Sequence, residues 1–257
     1  TYSLRCIPFG GFCAMEGEDG DSEDSRAFGK AAWWKRLIIL VAGAAMNFIA
    51  GMLLLFFIFL PNEQFVVPVI GQAEQGNTVV YEEGLHIGAR ILEVIGEKIY
   101  VSSDFSMLLS LNPGDTYDIL VERQGQKVLL EDFKMETHLF TNEDGTQSER
   151  YGITFSTVPA TLGETLSYSW NTGINIVRTV RLSLQMLVSG QAGLKDMTGP
   201  VGIVQIMSDT AEASPTALDA LLNMLYFGAF ISINLAVMNL LPIPALDGGR
   251  VVGLLIT

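Results

Sequence analysis

The residues best suited to chemistry lie near the end of the sequence, after a long apolar segment. Asn239, Pro242, Pro244 and Asp247 are spaced there as Asn-x-x-Pro-x-Pro-x-Leu-Asp-Gly. An ionised aspartate at the bilayer centre costs about 2.5–3.5 kcal/mol on insertion scales, so it normally has a partner or a task. Each proline removes a backbone N–H donor and disfavours helix just before it. Because broken helix at membrane depth is tolerated only inside protein or beside a cavity, the segment predicts a polar site in a membrane protein.

This spacing resembles the signature of the site-2 protease family of intramembrane zinc metalloproteases, in particular the bacterial regulator-of-sigma-E protease type. The resemblance implies that Asp247 is the third zinc ligand, after two histidines of a His-Glu-x-x-His helix. It also implies that Asn239 and the backbone freed near Pro242 and Pro244 engage substrate. Without the resemblance, the same residues could form a proline-rich turn in which Asp247 caps the next helix.

The rest of such a zinc site cannot be found in the 257 residues. Their two histidines, His86 and His138, do not begin a His-Glu-x-x-His motif, so no catalytic residue is assigned here. In the family that motif precedes a hairpin, and we therefore expect the sequence to be an excerpt, inert alone, whose missing ligands lie upstream of Thr1. A bound zinc would lower the pKa of water to about 7 and polarise the scissile carbonyl.

Two apolar segments, 37–60 and 217–241, predict membrane-spanning helices. At about 1.5 Å per residue, the first is long enough to cross a hydrocarbon layer of about 30 Å. Basic residues precede it, which places its N-terminal side in the cytoplasm. With two spans the motif at 239–250 returns to the cytoplasmic side.

Gly43, Asn47 and Gly51 share one face of the first predicted span. A face of small residues around an amide is typical of packing between membrane helices. By resemblance, residues 42–48, which include Gly43 and Asn47, belong to the family's second-helix motif. Both interpretations stay open at the level of sequence.

The segment 62–158 between the spans predicts a mainly-β domain outside the cytoplasm. Four short β-type runs mark it, at 66–71, 90–95, 117–123 and 127–130, with turns at 113–115 and 124–126. Sixteen acidic against six basic residues in 62–160 argue for a solvated domain and against nucleic-acid binding. Residues 83–99 resemble the core of a PDZ domain, with Ile95 and Gly96 where Asn-Gly is usual. Such a domain either gates access or binds an extended peptide by β-augmentation.

Three further segments complete the expected organisation. Residues 1–15 predict a membrane-associated hairpin around Gly10 and Gly11, which by resemblance holds substrate extended, and 16–36 form an acidic and basic cytoplasmic linker. Residues 163–190 predict an amphipathic helix at the membrane interface, because Arg178 and Arg181 argue against a full crossing. Residues 199–203 resemble a family element but read on their own as a turn.

The fold class predicted is therefore an α-helical membrane protein with an inserted mainly-β, PDZ-like (α+β) domain. The resemblance implies a multi-pass protease of the bacterial cell membrane that requires zinc. Its partners would be the lipid bilayer and single-span membrane substrates, such as anti-sigma factors or remnant signal peptides. A non-catalytic PDZ-containing adaptor or pseudoprotease is the alternative. An intramembrane aspartyl protease fits poorly, because it needs two carboxylates and 37–60 contains none.

Overall fold

The structure is a computed structural model that describes residues 24, 27–71, 85–135, 137–141, 146–190, 200–244 and 246–256. The predicted hairpin with Gly10 and Gly11 lies outside the described residues. Contacts between residues divide the chain into two compact units, one of residues 1–48 with 235–257 and the other of residues 49–234.

Long apolar helices occupy both segments predicted to cross the membrane. The α-helices of the described residues are α1 (Trp33–Phe59), α2 (Ser103–Leu111), α3 (Leu162–Ser189), α4 (Pro200–Glu212), α5 (Ala217–Asn239) and α6 (Asp247–Ile256), and a short 3-10 helix at Phe28–Lys30 precedes α1. Of these, α1 and α5 are long and apolar enough to span a bilayer. The chain thus has the helical features expected of a membrane protein.

The region between α1 and α3 is a mainly-β domain. Its strands are β1 (Gln64–Ile70), β2 (Arg90–Val94), β3 (Glu97–Lys98), β4 (Thr116–Arg123), β5 (Gln126–Lys134), β6 (His138–Thr141), β7 (Gln147–Arg150) and β8 (Phe155–Pro159). The order in the main sheet is β5-β4-β2-β1-β8, with β3 paired to β2, and β6 pairs with β7 separately. The four β-type runs predicted from the sequence are confirmed as β1, β2, β4 and β5, and the fold is an α+β mixture.

Alternation along β4 shows how this sheet builds its core. Tyr117, Ile119 and Val121 are buried, whereas the residues between them are more exposed. Successive side chains of a strand point to opposite faces, so the buried set shares one face. Helix α2 covers that core with Phe105 and Leu108, which are also buried.

Two hairpin turns have positive φ at both central residues. Ile95 and Gly96 have φ values of 53° and 72°, and Gln124 and Gly125 have 49° and 78°. This combination is that of a type I′ turn, which matches the twist of the flanking strands. The predicted turn at 124–126 is confirmed. At Ile95 a β-branched side chain occupies a left-handed conformation that costs roughly 1–2 kcal/mol for an L-residue.

The interpretation of 199–203 as a turn alone is wrong for its described part. Pro200 is the first residue of α4, which continues to Glu212. Proline is tolerated at the first helical position, because the N–H that it lacks would have no partner inside the helix. A Gly-Pro pair therefore marked a helix start here.

The small-residue face of α1 is used for packing at Gly51. A Cβ on Gly51 would lie within 3.0 Å of the Ile233 side chain on α5, and Ala229 and Ile233 are fully buried. Close approach of two helices at a glycine is typical of membrane helix pairs. Around Gly43, by contrast, a Cβ would have no described atom within 4 Å.

Helix α3 is joined to the β domain by two ion pairs. The Arg178 guanidinium lies 2.8 Å from the Asp104 carboxylate and also donates to the Lys98 carbonyl. Arg181 pairs with Glu97 at 2.6 Å. The two arginines that argued against a membrane crossing are thus matched by groups of the β domain.

Candidate active site around Asp247

The end of α5 is set by the two prolines that follow it. The N–H groups of Leu240 and Leu241 still donate to carbonyls three residues back, at 3.1 Å each, which tightens the final turn. Pro242 has no N–H, so the helical hydrogen-bond pattern cannot continue through it. The regular helix therefore ends at Asn239, and the tightened turn after it ends before Pro242.

A compact turn then leads into α6. The Ile243 N–H donates to the Leu241 carbonyl at 2.7 Å, and the Leu246 N–H donates to the Ile243 carbonyl at 2.9 Å. Pro244 lies between these two bonds and contributes no donor. Backbone hydrogen bonds of this turn thus hold the segment that joins α5 to Asp247.

Two glycines allow the start of α6 to pack directly against the turn. A Cβ on Gly248 would lie less than 3.0 Å from the carbonyl oxygens of Leu240 and Leu241. A Cβ on Gly249 would lie less than 3.0 Å from the Ile243 carbonyl oxygen. Because these neighbours are backbone atoms, they cannot move aside as a flexible side chain could. Both positions therefore require glycine.

Asp247 is the first residue of α6 and is half-buried. The first turn of a helix has N–H groups without helical partners, and negative charge is favoured beside them. The position of Asp247 is therefore consistent with two roles. Its carboxylate could cap α6, or it could bind a group outside the helix.

The structure places the predicted residues of this segment at the end of α5, on the turn that follows and at the start of α6, all within one compact unit. Asn239 is half-buried at the end of α5, while Pro242 and Pro244 are exposed on the turn. Gly10 and Gly11 lie outside the described residues. The roles of all of them in binding metal or substrate stay predictions.

The described residues do not form a zinc site by themselves. Among them, no three His, Cys, Asp or Glu side chains are grouped so that they could hold a metal ion. A zinc site needs at least three protein ligands in most catalytic centres. Asp247 is therefore a candidate for one ligand of a set that the described part of the chain does not complete.

Comparison with known proteins identifies the family. The whole chain, residues 1–257, matches Peptidase family M50. The chain belongs to this family, the site-2 proteases, as the resemblance of its Asn-x-x-Pro-x-Pro-x-Leu-Asp-Gly motif predicted.

Individual relatives cover almost the entire chain. A Clostridium perfringens protein named "Putative zinc metalloprotease" is 33% identical, over 97% of this chain and 71% of its own length. A Fusobacterium nucleatum protein of the same description is 31% identical, over 100% of this chain and 73% of its own length. The regulator of sigma-W protease RasP of Bacillus subtilis is 30% identical, over 95% of this chain and 56% of its own length.

Sequence reasoning missed the packing role of Gly248 and Gly249. The signal was present, because two consecutive glycines directly follow the aspartate. What the sequence could not show is that carbonyl oxygens of the preceding turn occupy the space where their side chains would be. The Gly-Gly pair therefore positions Asp247, although neither residue has a functional group of its own.

Proposed function

We propose that the protein is an intramembrane zinc endopeptidase in which Asp247 is a zinc ligand. The observation that carries the proposal is the position of Asp247, at the end of the compact turn that follows a membrane-capable helix and beside Gly248, where that turn leaves no space for a side chain. Membership of family M50 and relatives named as zinc metalloproteases support the same activity. The remaining ligands would come from residues outside the described part of the chain.

Substrate handling follows from the exposed turn between α5 and α6. A peptide bond within a membrane helix has its carbonyl already hydrogen-bonded, so the helix must unwind before the bond can be cleaved. The turn at Pro242 and Pro244 offers irregular backbone beside Asp247, and the amide of Asn239 is close in sequence. We assign to these groups, and to the hairpin predicted from the sequence around Gly10 and Gly11, the binding of an unwound substrate segment by backbone pairing.

The substrates proposed are single-span membrane proteins, such as anti-sigma factors or remnant signal peptides. The name of the Bacillus subtilis relative, a regulator of sigma-W protease, supports this class. The β domain would lie outside the cytoplasm of a bacterial cell and resemble a PDZ domain that gates access, with the motif at 239–250 on the cytoplasmic side.

The experiment is cleavage of a single-span substrate by the full-length protein and by its Asp247→Asn variant. Asparagine keeps the shape of the side chain but removes the charge that a metal ligand needs. We expect cleavage to fall by more than about 100-fold, because loss of even an outer partner of a metal ligand typically costs 10–100-fold. The control is Asp209→Asn, an exposed aspartate on α4, which should cleave like the wild type.

Two results would contradict the proposal. Undiminished cleavage by the Asp247→Asn variant would exclude Asp247 as a ligand. A wild-type protein that binds the membrane substrate without cleaving it would instead favour the non-catalytic adaptor or pseudoprotease.

A further inference from the structure

Strand β5 forms one edge of the main sheet. The strand order is β5-β4-β2-β1-β8, so β5 pairs with β4 on one side and with no strand of the described residues on the other. Such an edge presents a row of backbone N–H and C=O groups, which is a template for pairing with another strand. We call the open side of this strand, at residues 127–131, the β5 edge.

The hairpin turn before β5 determines which of its backbone groups point outward. Arg123 and Gln126 are paired on either side of the two-residue turn. The pair that flanks such a turn is hydrogen-bonded, and along the ladder hydrogen-bonded pairs alternate with pairs that are not. The N–H and C=O groups of Lys127, Leu129 and Glu131 therefore point away from β4, toward the open side of the strand.

The side chains of these three residues share one face of the sheet, because they are two residues apart. This is the outer face, since Leu129 is 53% exposed and Lys127 and Glu131 are exposed as well. Val128 and Leu130, which lie between them, pack against the core of the β domain. The β5 edge thus carries a lysine, a leucine and a glutamate in one row, with the leucine in the middle.

This row is complementary to a second copy of itself that runs in the opposite direction. In an antiparallel pair centred on Leu129, Lys127 of each strand lies opposite Glu131 of the other, and the two leucines face each other. The three positions meet as hydrogen-bonded pairs, because their N–H and C=O groups point outward. Leu120, the partner of Leu129 on β4, extends the apolar contact on both sides.

Other pairings of the same two strands lack this match. A parallel pair in register places lysine beside lysine, and like charges directly opposite each other are destabilising. An antiparallel pair centred on Lys127 or Glu131 places that residue opposite itself, with the same effect. An antiparallel pair centred on Val128 or Leu130 places Leu129 opposite a charged residue. The charges therefore favour a single register.

We propose that the β5 edge binds the β5 edge of a second copy of this chain, as an antiparallel two-fold pair centred on Leu129. The two β-domain sheets then form one continuous sheet, and the two Lys127–Glu131 pairs set its register. A two-fold contact uses the same surface on both copies, so it closes at a dimer. The interface does not involve Asp247 and does not depend on the proposed proteolytic activity.

Cysteine cross-linking of the full-length protein in membranes tests this register. The native cysteines, which include Cys6 and Cys13, are first replaced by serine. In the proposed pair the Cα atoms of the two Leu129 residues are about 5.5 Å apart, which suits a disulfide. On oxidation with copper phenanthroline, the Leu129→Cys variant should therefore form a covalent dimer.

The matched controls use the two ends of the same row. In the proposed pair Lys127 lies about 13 Å from Lys127 of the second copy, which is four residues of strand. The single variants Lys127→Cys and Glu131→Cys should therefore form no dimer, whereas the variant with both substitutions should form one. All of these positions are exposed, so the substitutions leave the core of the domain unchanged.

Charge reversal tests the ion pairs separately, in the Leu129→Cys variant. Lys127→Glu should lower the cross-linked fraction roughly fivefold, because two cross-strand pairs of opposite charge become pairs of like charge. The further substitution Glu131→Lys should restore the cross-linked fraction, since the charges are then exchanged and opposite again.

Three results would overturn the proposal. Equal amounts of dimer from every cysteine variant would indicate random collision instead of one register. No dimer from the Leu129→Cys variant, or a cross-link to a substrate segment in its place, would show that a second copy does not occupy the β5 edge. A double charge reversal that cross-links as weakly as Lys127→Glu alone would exclude the Lys127–Glu131 pairs.

Discussion

Gly248 has backbone carbonyl oxygens on the side where an L-residue carries its Cβ, and these oxygens belong to Leu240 and Leu241. Backbone groups in a hydrogen-bonded turn cannot rotate away, so any side chain at this position must push α6 from the turn. The carboxylate of Asp247 would move with it. The position of the candidate ligand thus depends on its neighbour having no side chain.

A pair of alanine substitutions within α6 tests this dependence. Gly253→Ala should leave stability unchanged or raise it by up to about 1 kcal/mol, because alanine favours helix over glycine. Gly248→Ala should instead lower stability by about 1–3 kcal/mol or more, because overpacking forces the backbone to shift. The thermal unfolding midpoints of the two variants give the comparison.

Gly253 is a suitable control because no described atom lies within 4 Å of its hypothetical Cβ. Equal midpoints for the Gly248→Ala and Gly253→Ala variants would show that α6 does not pack against the turn. Cleavage of substrate, measured in parallel, should be lost only in the Gly248→Ala variant.

At the residue scale, the sequence predicted the candidate ligand and the break in the helix. Asp247 and the two prolines were recognisable from the sequence, because the free-energy cost of a charge in a membrane and the loss of an N–H donor are properties of single residues. The requirement for Gly248 was not predictable, since it depends on a contact between α6 and a turn seven to eight residues earlier. At Ile95 the structure goes against the local preference of the residue. The hairpin turn forms there although a β-branched side chain disfavours a positive φ.

At the scale of elements, α3 is held to the β domain by one buried and one exposed ion pair. The side chains of Arg178 and Asp104 are 5% and 1% exposed, whereas those of Arg181 and Glu97 are 47% and 28% exposed. The Asp104 carboxylate also accepts hydrogen bonds from the N–H groups of Tyr100 and Val101, at 2.7 and 3.0 Å. The buried pair therefore joins α3, α2 and the segment after β3.

Replacing the acidic residue of each pair by its neutral amide should lower the stability of the protein by very different amounts. Asp104→Asn leaves Arg178 buried without its counter-charge, and breaking one side of a buried pair typically costs about 3–5 kcal/mol. Glu97→Gln removes an exposed pair, whose usual contribution is about 0–1 kcal/mol. Hydrogen exchange of the Tyr100 and Val101 amides measures the difference.

In the Asp104→Asn variant these two amides should exchange much faster than in the wild type, because a neutral amide oxygen is a weaker acceptor than a carboxylate. In the Glu97→Gln variant their exchange should be unchanged. Similar exchange in all three proteins would mean that the Asp104 carboxylate does not hold the segment after β3.

The elements that the sequence predicted are those with a strong local pattern. Apolar length identified α1 and α5, and β-type runs identified four strands of the main sheet. Helix α2 was missed because it is only nine residues long, although Phe105, Leu108 and Leu109 have helical spacing. Helix α4 was missed because its Gly-Pro start is equally typical of a turn. The sheet order could not be predicted, because strand pairing depends on contacts between distant segments.

At the scale of the whole molecule, family membership rests on a match that covers residues 1–257. The short motif was enough to predict it, because its residue types and spacing are unusual in an apolar context. The complete zinc site was not predictable from this sequence, and the described residues do not assemble it. Ligand sets form from elements that are distant along the chain, so local spacing can indicate one ligand but not its partners.

Zinc content of the purified full-length protein tests the central claim most directly. The wild type and the Asp209→Asn control should retain zinc after dialysis, because neither lacks a proposed ligand. The Asp247→Asn variant should lose it, while its β domain stays folded as judged by protection of the Tyr100 and Val101 amides. Zinc retained by the Asp247→Asn variant at the wild-type level would contradict the assignment of Asp247 as a ligand.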